Sequence, residues 1–160
     1  MRQQRGRGVT IWGMLLPSGQ LHYLEVSGIL NSSNYMKLLA DFALPIISST
    51  FDTDWVFQQD NAPPHRSETT QLFLETRGID NLGWPPRSPD LIVIENMWHL
   101  LSERVYEDGT VQNVQIFKDK FREAVHDLNN ELNISRNVFT SFDKRILKCL
   151  ELAGNLVLCN

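Results

Sequence analysis

The feature that most restricts the fold is a proline-rich segment in the middle of the chain, Trp84-Pro85-Pro86-Arg87-Ser88-Pro89-Asp90. Proline lacks a backbone N–H and disfavours helical backbone in the residue before it, so this segment cannot form a regular helix or strand. Strand-like and helix-like patterns alternate before the segment, and only helix-like patterns follow it. The order predicts an α/β fold in which helices pack against a mixed sheet.

Three stretches favour β-structure. Val9–Leu16 and Leu21–Val26 are rich in β-forming residues and are separated by a Pro-Ser-Gly turn, which predicts a hairpin. Trp55-Val56-Phe57 reads as a short, fully buried strand that turns polar at Gln58, Gln59 and Asp60. A strand that is apolar on both faces indicates a central position in a partly parallel sheet. Ile79–Leu82 is a candidate for one further strand.

The remaining patterns have helical spacing. Asn31 and the serines after it are candidate N-caps, and Gly78 is a typical helix stop. Five helices are predicted, with these approximate limits: Tyr35 to Pro45, Ser67 to Arg77, Asp90 to Val105, Ile116 to Leu128, and Val138 to Leu150.

Composition excludes several classes of protein. The chain has 160 residues, of which 42% are hydrophobic, so a disordered chain is excluded. A net charge of −4 excludes a strongly basic DNA-coating protein. The two cysteines have no CxxC spacing, and no apolar run reaches the ~20 residues of a membrane helix. The first residues lack the pattern of a signal peptide, and we expect an intracellular protein that does not enter a membrane.

Two acidic residues stand out by position. Asp60 follows a buried strand, where open α/β sheets place their ligands, although aspartate at such a position often makes a turn or caps a helix. Glu95 lies on the flank of the apolar stripe of its helix, although a half-exposed glutamate paired with a neighbour is common. Asp90 is a candidate N-cap for that helix.

Two motifs around these residues resemble the catalytic domain of the mariner superfamily of transposases. The first motif is Gln59-Asp60-Asn61-Ala62-Pro63-Pro64-His65, and the second runs from Trp84-Pro85-Pro86 through Ser88-Pro89-Asp90-Leu91 to Ile94-Glu95-Asn96-Met97-Trp98. Between Asp60 and Glu95 lie 34 residues, a spacing familiar in that family. The resemblance implies an RNase H-like fold and a cut-and-paste DNA enzyme with an Asp, Asp, Glu metal triad.

The resemblance also assigns roles to residues. Asp60 and Glu95 would be the second and third carboxylates of the triad, catalytic residues that bind Mg²⁺ or Mn²⁺. Asn61, His65, Asp90 and Asn96 would support them. Arg66 and Arg87, and also Arg77, are weak candidates for DNA phosphate contacts, since solvated arginines are the simpler interpretation. DNA is the implied partner, a homodimer is left open, no small-molecule cofactor is implied, and the nucleus is the implied location.

The sequence departs from the family pattern in two places. Ile92-Val93 stand where the family usually has Asn-Pro, and these β-branched residues favour fraying of the first helical turn. The eight residues before Val9 contain no acidic side chain, and Glu25 and Asp41 do not fall on the expected strand. We therefore expect residues 1–160 to form a partial catalytic domain. The first aspartate, its central strand and the helix-turn-helix DNA-binding domain would be missing.

Two functional hypotheses follow from that expectation. The first is a DNA-processing enzyme, or part of one, whose metal binding is impaired and which is inactive as written. The second is a non-catalytic remnant that acts as a nucleic-acid-binding or protein-binding module.

Overall fold

The computed structural model of the chain describes residues 8–52, 55–82, 92–131 and 134–151. The chain divides into two compact units, the first comprising Met1–Val26 with Asp90–Asn160 and the second Ser27–Pro89. In chain order the elements are β1 (Thr10–Leu15), β2 (Leu21–Val26), α1 (Ser32–Leu38), a π-helical turn (Leu39–Ala43), α2 (Leu44–Thr50), α3 (Pro63–Arg66), α4 (Glu68–Thr76), α5 (Val93–Val105), α6 (Val114–Asn130) and α7 (Ile134–Glu151).

The predicted hairpin is confirmed in the first unit. β1 and β2 pair antiparallel, with Thr10 opposite Val26 and Leu15 opposite Leu21. The connection turns at Gly19, whose φ of 85° lies in the region that glycine adopts without strain. The turn residues recognised in the sequence therefore set the register of the hairpin.

One edge of the hairpin is closed by a side chain. The Leu21 N–H donates to Asn129 Oδ1 at 2.8 Å, and Asn129 Nδ2 donates to the Leu21 carbonyl oxygen at 3.0 Å. The side-chain amide of α6 thus takes the place of a neighbouring strand on the outer side of β2. A closed edge of this kind cannot accept a further strand at that point.

The opposite edge, on β1, pairs with no strand among the described residues. Since the backbone of Leu21 faces away from β1, the alternation of an antiparallel ladder directs the backbone of Leu15 away from β2 as well. Gly13 and Ile11 follow at two-residue intervals and share that direction. Within the part of the chain that the structure describes, the sheet containing β1 has only two strands.

The core of the first unit forms between the hairpin and the helices. Trp98 of α5 lies against Gly13, where an added Cβ would come within 2.7 Å of the indole ring. Phe121 of α6 packs edge-to-face on Tyr23 with ring centroids 5.1 Å apart. Each large apolar side chain buried in this way contributes roughly 1.5–3 kcal/mol. The buried cluster consists of Leu21, Met97, Leu101, Val105, Phe121, Ala124, Val125 and Leu128.

The regular structure described in the second unit is helical, together with one isolated β-bridge. Asn31 caps α1 by accepting the Asn34 N–H, and Ser67 caps α4 by accepting the Thr70 N–H. α4 ends before Gly78, which has a φ of 65°. These limits confirm the predicted cap at Asn31, the predicted helix start near Ser67 and the predicted stop at Gly78. Its buried apolar residues include Tyr35, Leu39, Ala43, Ile47, Leu74 and Ile79.

The predicted end of a helix at Pro45 is wrong. The chain stays helical from Ser32 to Thr50, because the π-helical turn Leu39–Ala43 precedes α2. Pro45 then falls in the first turn of α2, where a backbone N–H is not required. The wider turn therefore allows the proline to stay inside a continuous helical segment.

The predicted buried strand at Trp55–Phe57 is also wrong in its extent. A single parallel bridge joins Phe57 to Asn81. The Phe57 N–H donates to the Asp80 carbonyl oxygen, and the Phe57 carbonyl oxygen accepts the Leu82 N–H, each with an N···O distance of 2.8 Å. Val56 is 60% exposed, so the segment is not apolar and buried on both faces. The parallel direction was predicted correctly, but one bridge is too short to form a strand.

The start of α5 differs from the expectation as well. The helix begins at Val93 with the extended residue Ile92 at its N-cap position, later than the predicted start near Asp90. Ile92 offers no side-chain hydrogen bond to the helix. The two β-branched residues account for the later start, since they favour extended backbone. No helix among the described residues is long and apolar enough to cross a membrane.

Candidate active site

Asp60 presents a carboxylate with two different oxygens. Oδ1 accepts the backbone N–H of Ala62 at 3.0 Å and lies 2.5 Å from His65 Nδ1. An ionised carboxylate can only accept, so His65 Nδ1 carries the proton of this hydrogen bond. Oδ2 has no hydrogen-bond partner among the described residues. The side chain of Asp60 is 49% exposed, which leaves that oxygen open to a ligand.

The hydrogen bond from His65 lowers the pKa of Asp60, and the Ala62 N–H and the nearby imidazole act in the same direction against the effect of burial. The carboxylate is therefore ionised at neutral pH. An ionised carboxylate with a free oxygen is a suitable ligand for a hard divalent cation.

His65 is held tightly from two sides. It lies on the short helix α3 with its side chain 13% exposed. Its ring packs against the ring of Tyr35 with centroids 4.2 Å apart and planes at 34°. Its carbonyl oxygen accepts Gln71 Nε2 at 2.6 Å and Gln59 Nε2 at 3.5 Å. The imidazole that contacts Asp60 is therefore fixed in position.

Tyr35 and Gln59 complete this network. Tyr35 is 1% exposed, and its hydroxyl donates to Gln59 Oε1 at 2.7 Å. Burial raises the pKa of the Tyr35 phenol, and the charge of Asp60 raises it further, so the hydroxyl stays protonated. The residue that immediately precedes Asp60 is thus anchored in the core of the second unit.

Glu95 occupies the third position of α5 and is exposed. A carboxylate in the first turn of a helix is stabilised by the positive end of the helix dipole. The apolar stripe predicted for this helix is confirmed, because Met97, Leu101 and Val105 are buried. Glu95 lies outside that stripe, on a part of the helix open to solvent.

Asn96 does not face solvent as its neighbour does. Its Oδ1 accepts Arg145 Nη1 at 2.8 Å, and Arg145, on α7, is only 9% exposed. The Nε and Nη2 groups of Arg145 are buried without hydrogen-bond partners in the described part of the chain. Asn96 therefore ties the first turn of α5 to α7.

The other predicted site residues are less informative. Arg66 ends α3 and has no ion pair among the described residues, while Arg77 lies over the ring of Phe73 at 3.8 Å. Asn61 follows Asp60 and is exposed. Arg87 and Asp90 lie outside the described residues, together with the rest of the proline-rich segment.

The two alternative acids have other surroundings. Glu25 lies on β2 and forms an ion pair with Lys118 of α6. Asp41 is exposed in the π-helical turn. Among the residues that the structure describes, no three His, Cys, Asp or Glu side chains gather into a metal-binding group. The structure brings Asp60 together with His65, whereas the approach of Asp60 to Glu95 stays a prediction.

Sequence reasoning missed Tyr35 and Arg145. Tyr35 begins an ordinary helical pattern, so nothing in the sequence marks its contact with Gln59 and His65. Arg145 does carry a signal, since it falls seven residues after Val138 and three after Phe142, on the apolar stripe of α7. A charged residue on such a stripe indicates a buried polar contact.

A family model described as DDE superfamily endonuclease matches residues 1–118. The chain belongs to the DDE superfamily of endonucleases. It is 31% identical over 152 residues to the Tc3 transposase of Caenorhabditis elegans, a match that spans 94% of this chain and 45% of that protein. It is 32% identical over 100 residues to the Tcb1 transposase of Caenorhabditis briggsae, covering 62% of this chain and 37% of that protein.

Solved structures agree with this family on the fold. The catalytic domain of Mos1 mariner transposase matches with a TM-score of 0.74 at 18% identity, over 94% of this chain and 76% of that chain. A Mos1 paired-end complex with a left transposon end matches with a TM-score of 0.79 at 19% identity, over 97% of this chain and 46% of that chain. The RNase H-like fold implied by the motifs is therefore confirmed, as is the Tc1/mariner resemblance.

Two further points concern the metals in the matching Mos1 structures and the length of the chain relative to the curated transposases. Structures of the Mos1 catalytic domain with Mg and with Mn are among those that match. The chain spans less than half the length of the curated transposases to which it is similar.

Proposed function

We propose that this DDE-superfamily chain contributes Asp60 and Glu95 as ligands for Mg²⁺ or Mn²⁺ in a DNA strand-cleavage and strand-transfer reaction. The observation that supports this most is the Asp60 carboxylate, which has one oxygen fixed by Ala62 and His65 and the other without a hydrogen-bond partner in the described part of the chain. A turn-forming aspartate needs only the first of these features. The second is what a metal ligand requires.

The residues present fit a divalent cation in their chemistry. Asp60 and Glu95 are both exposed carboxylates, the hard oxygen donors that Mg²⁺ and Mn²⁺ prefer. When bound, such ions activate the attacking oxygen and stabilise the leaving oxygen of a phosphodiester. In this proposal the hydrogen bond from His65 orients the Asp60 carboxylate. Glu95 extends from the first turn of α5, which the hydrogen bond between Asn96 and Arg145 joins to α7.

DNA is the proposed substrate and partner. A related Mos1 transposase was solved in a paired-end complex with a transposon end. Arg66, which has no ion pair among the described residues, and Arg87 are proposed to contact phosphates, and such contacts would weaken steeply with salt. Assembly as a homodimer and action in the nucleus belong to the same proposal.

The 160-residue polypeptide alone is proposed not to cleave DNA. The triad of the family has three carboxylates, and only two positions of this sequence match them. Loss of one carboxylate leaves a metal ion misplaced or unbound, which removes much of the charge stabilisation in the transition state.

Metal binding tests the site. Titration of the chain with Mn²⁺, followed by water proton relaxation, should show binding that Asp60→Asn and Glu95→Gln each weaken. Glu103→Gln on the exposed side of α5 and Asp143→Asn on α7 are matched controls and should bind as the wild type does. Equal weakening by a control would contradict the assignment.

A nicking assay on supercoiled DNA with either ion tests the proposed inactivity. We expect no cleavage by the chain as given. Metal-dependent cleavage that Asp60→Ala and Glu95→Ala both abolish would show that another carboxylate, such as Glu25, completes the triad. DNA binding that is insensitive to Mn²⁺ and to both substitutions would instead favour the non-catalytic binding module.

A further inference from the structure

The second unit contains a buried side chain that contacts residues on both sides of Asp60. Tyr35 of α1 is 24 positions away from Gln59 in sequence, and its hydroxyl donates to Gln59 Oε1 in the core. The same ring packs on the imidazole of His65, the hydrogen-bond donor to Asp60. Tyr35 therefore contacts the residue before Asp60 in the chain and the residue that holds its carboxylate.

These two contacts restrict different motions. The hydrogen bond to Gln59 restrains the backbone that carries Asp60. The ring contact limits rotation of the His65 imidazole. The backbone carbonyl oxygen of His65 is already held by a hydrogen bond from Gln71. A carboxylate on a fixed backbone with a fixed donor on Oδ1 has few rotamers open to it. Its Oδ2 is then directed before any ligand arrives.

We propose that Tyr35 is a positioning residue for the Asp60 carboxylate and acts through His65 and Gln59. This inference rests on the proposed function, in which Asp60 is a metal ligand. Partners that orient a metal ligand typically contribute about 10-fold to 100-fold in metal affinity. The hydroxyl acts through Gln59, and a phenylalanine would keep the ring contact with His65, so we expect the hydroxyl alone to contribute near the lower end of that range.

A purely structural role for Tyr35 is separated from positioning by two pairs of variants. Tyr35→Phe keeps the ring and its volume but leaves Gln59 Oε1 without its donor, and Tyr106→Phe is the control at a half-exposed tyrosine. His65→Asn keeps an N–H near the position of Nδ1, whereas His65→Ala removes it. If the His65 side chain were needed only for packing against Tyr35, metal binding would not depend on that N–H.

The experiment is Mn²⁺ titration of the whole chain, with Asp60→Asn as reference. We expect about tenfold weaker binding for Tyr35→Phe, a larger loss for His65→Ala and partial recovery for His65→Asn, with Tyr106→Phe unchanged. Unchanged binding by Tyr35→Phe, while Asp60→Asn loses binding, would overturn the positioning role and leave the proposed function standing. Unchanged binding by Asp60→Asn would overturn the metal-ligand assignment itself.

A metal-free measurement completes the test. The Hα–Hβ couplings of Asp60 in NMR spectra report whether its side chain occupies one rotamer or several. We expect one rotamer in the wild type and averaging in Tyr35→Phe and His65→Ala. A single unchanged rotamer in both variants would overturn the proposal, whatever the wild-type affinity for Mn²⁺.

Discussion

At the scale of single residues, the local turn that Asp60 makes is compatible with its proposed role as a metal ligand. It closes a local turn by accepting the Ala62 N–H, as aspartate does after many strands. It also accepts the His65 N–H, and its second oxygen has no hydrogen-bond partner among the residues that the structure describes. The turn therefore does not compete with ligand binding, because both hydrogen bonds fall on the same oxygen.

A pH prediction belongs to His22 on β2. Burial lowers its pKa, and its Nε2 has no hydrogen-bond partner in the described residues. The folded state thus favours neutral His22, while the unfolded chain binds a proton as the pH falls through about 6.5. Above that pH, His22 does not lower the free energy of unfolding. As the pH falls towards the lowered pKa, protonation of the unfolded chain reduces the free energy of unfolding.

We therefore expect the free energy of unfolding to fall more between about pH 7.5 and pH 5.5 in the wild type than in His22→Leu. Denaturant unfolding at the two pH values measures this difference. An identical pH dependence in both proteins would show that His22 is not responsible.

At the scale of elements, the link between α5 and α7 depends on one polar pair. Arg145 has a single described partner, Asn96, and two buried N–H groups without partners. A buried charge with incomplete hydrogen bonding is expensive, and replacement by an apolar side chain is often neutral or stabilising. Removal of the partner, Asn96, is instead destabilising, because it leaves the buried charge uncompensated.

Asn96→Ala should lower the free energy of unfolding by about 2–4 kcal/mol, because it leaves the guanidinium without an acceptor. Arg145→Met should leave it unchanged or raise it, because the methionine fills similar volume without polar groups. Thermal and urea unfolding of both variants tests the contrast. A larger destabilisation in Arg145→Met than in Asn96→Ala would contradict it.

Element prediction succeeded where local chemistry decides. The hairpin, the Asn31 cap, the start of α4 near Ser67 and the apolar stripe of α5 follow from turn residues, a side-chain acceptor and residue spacing. It failed where tertiary context decides. The π-helical turn that carries the chain past Pro45 has no sequence signature, and the segment at Phe57 forms one bridge where its apolar residues suggested a strand.

The candidate site divides in the same way. The motifs identified Asp60, His65 and Glu95, and the hydrogen bond between the first two agrees with the supporting role given to His65. Tyr35 and Arg145 were missed because their contacts join residues far apart in sequence, and a pattern along the chain does not record such contacts.

At the scale of the whole molecule, β1 has the features of an interior strand. Met14 and Leu16 are buried on one face, and Ile11 and Leu15 pack on the core of the first unit from the other. Burial on both faces is typical of strands that have neighbours on both edges. Yet the described sheet pairs β1 only with β2. That a further strand pairs with this edge of β1 stays a prediction.

We expect the 160-residue chain alone to be marginally stable and to associate in solution, because an open edge flanked by apolar side chains pairs readily with other chains. Light scattering during size-exclusion chromatography and the concentration dependence of melting measure this. A sharp, two-state melt of a monomer would contradict the expectation.

Asp60 and Glu95, 34 residues apart in sequence, are proposed to share one divalent metal site. Anomalous diffraction from crystals of the chain grown with Mn²⁺ would locate the ion. We expect a manganese peak in contact with Oδ2 of Asp60 and with the Glu95 carboxylate. Carboxyl groups far apart on opposite faces of the sheet, or manganese bound elsewhere with Asp60 empty, would contradict it.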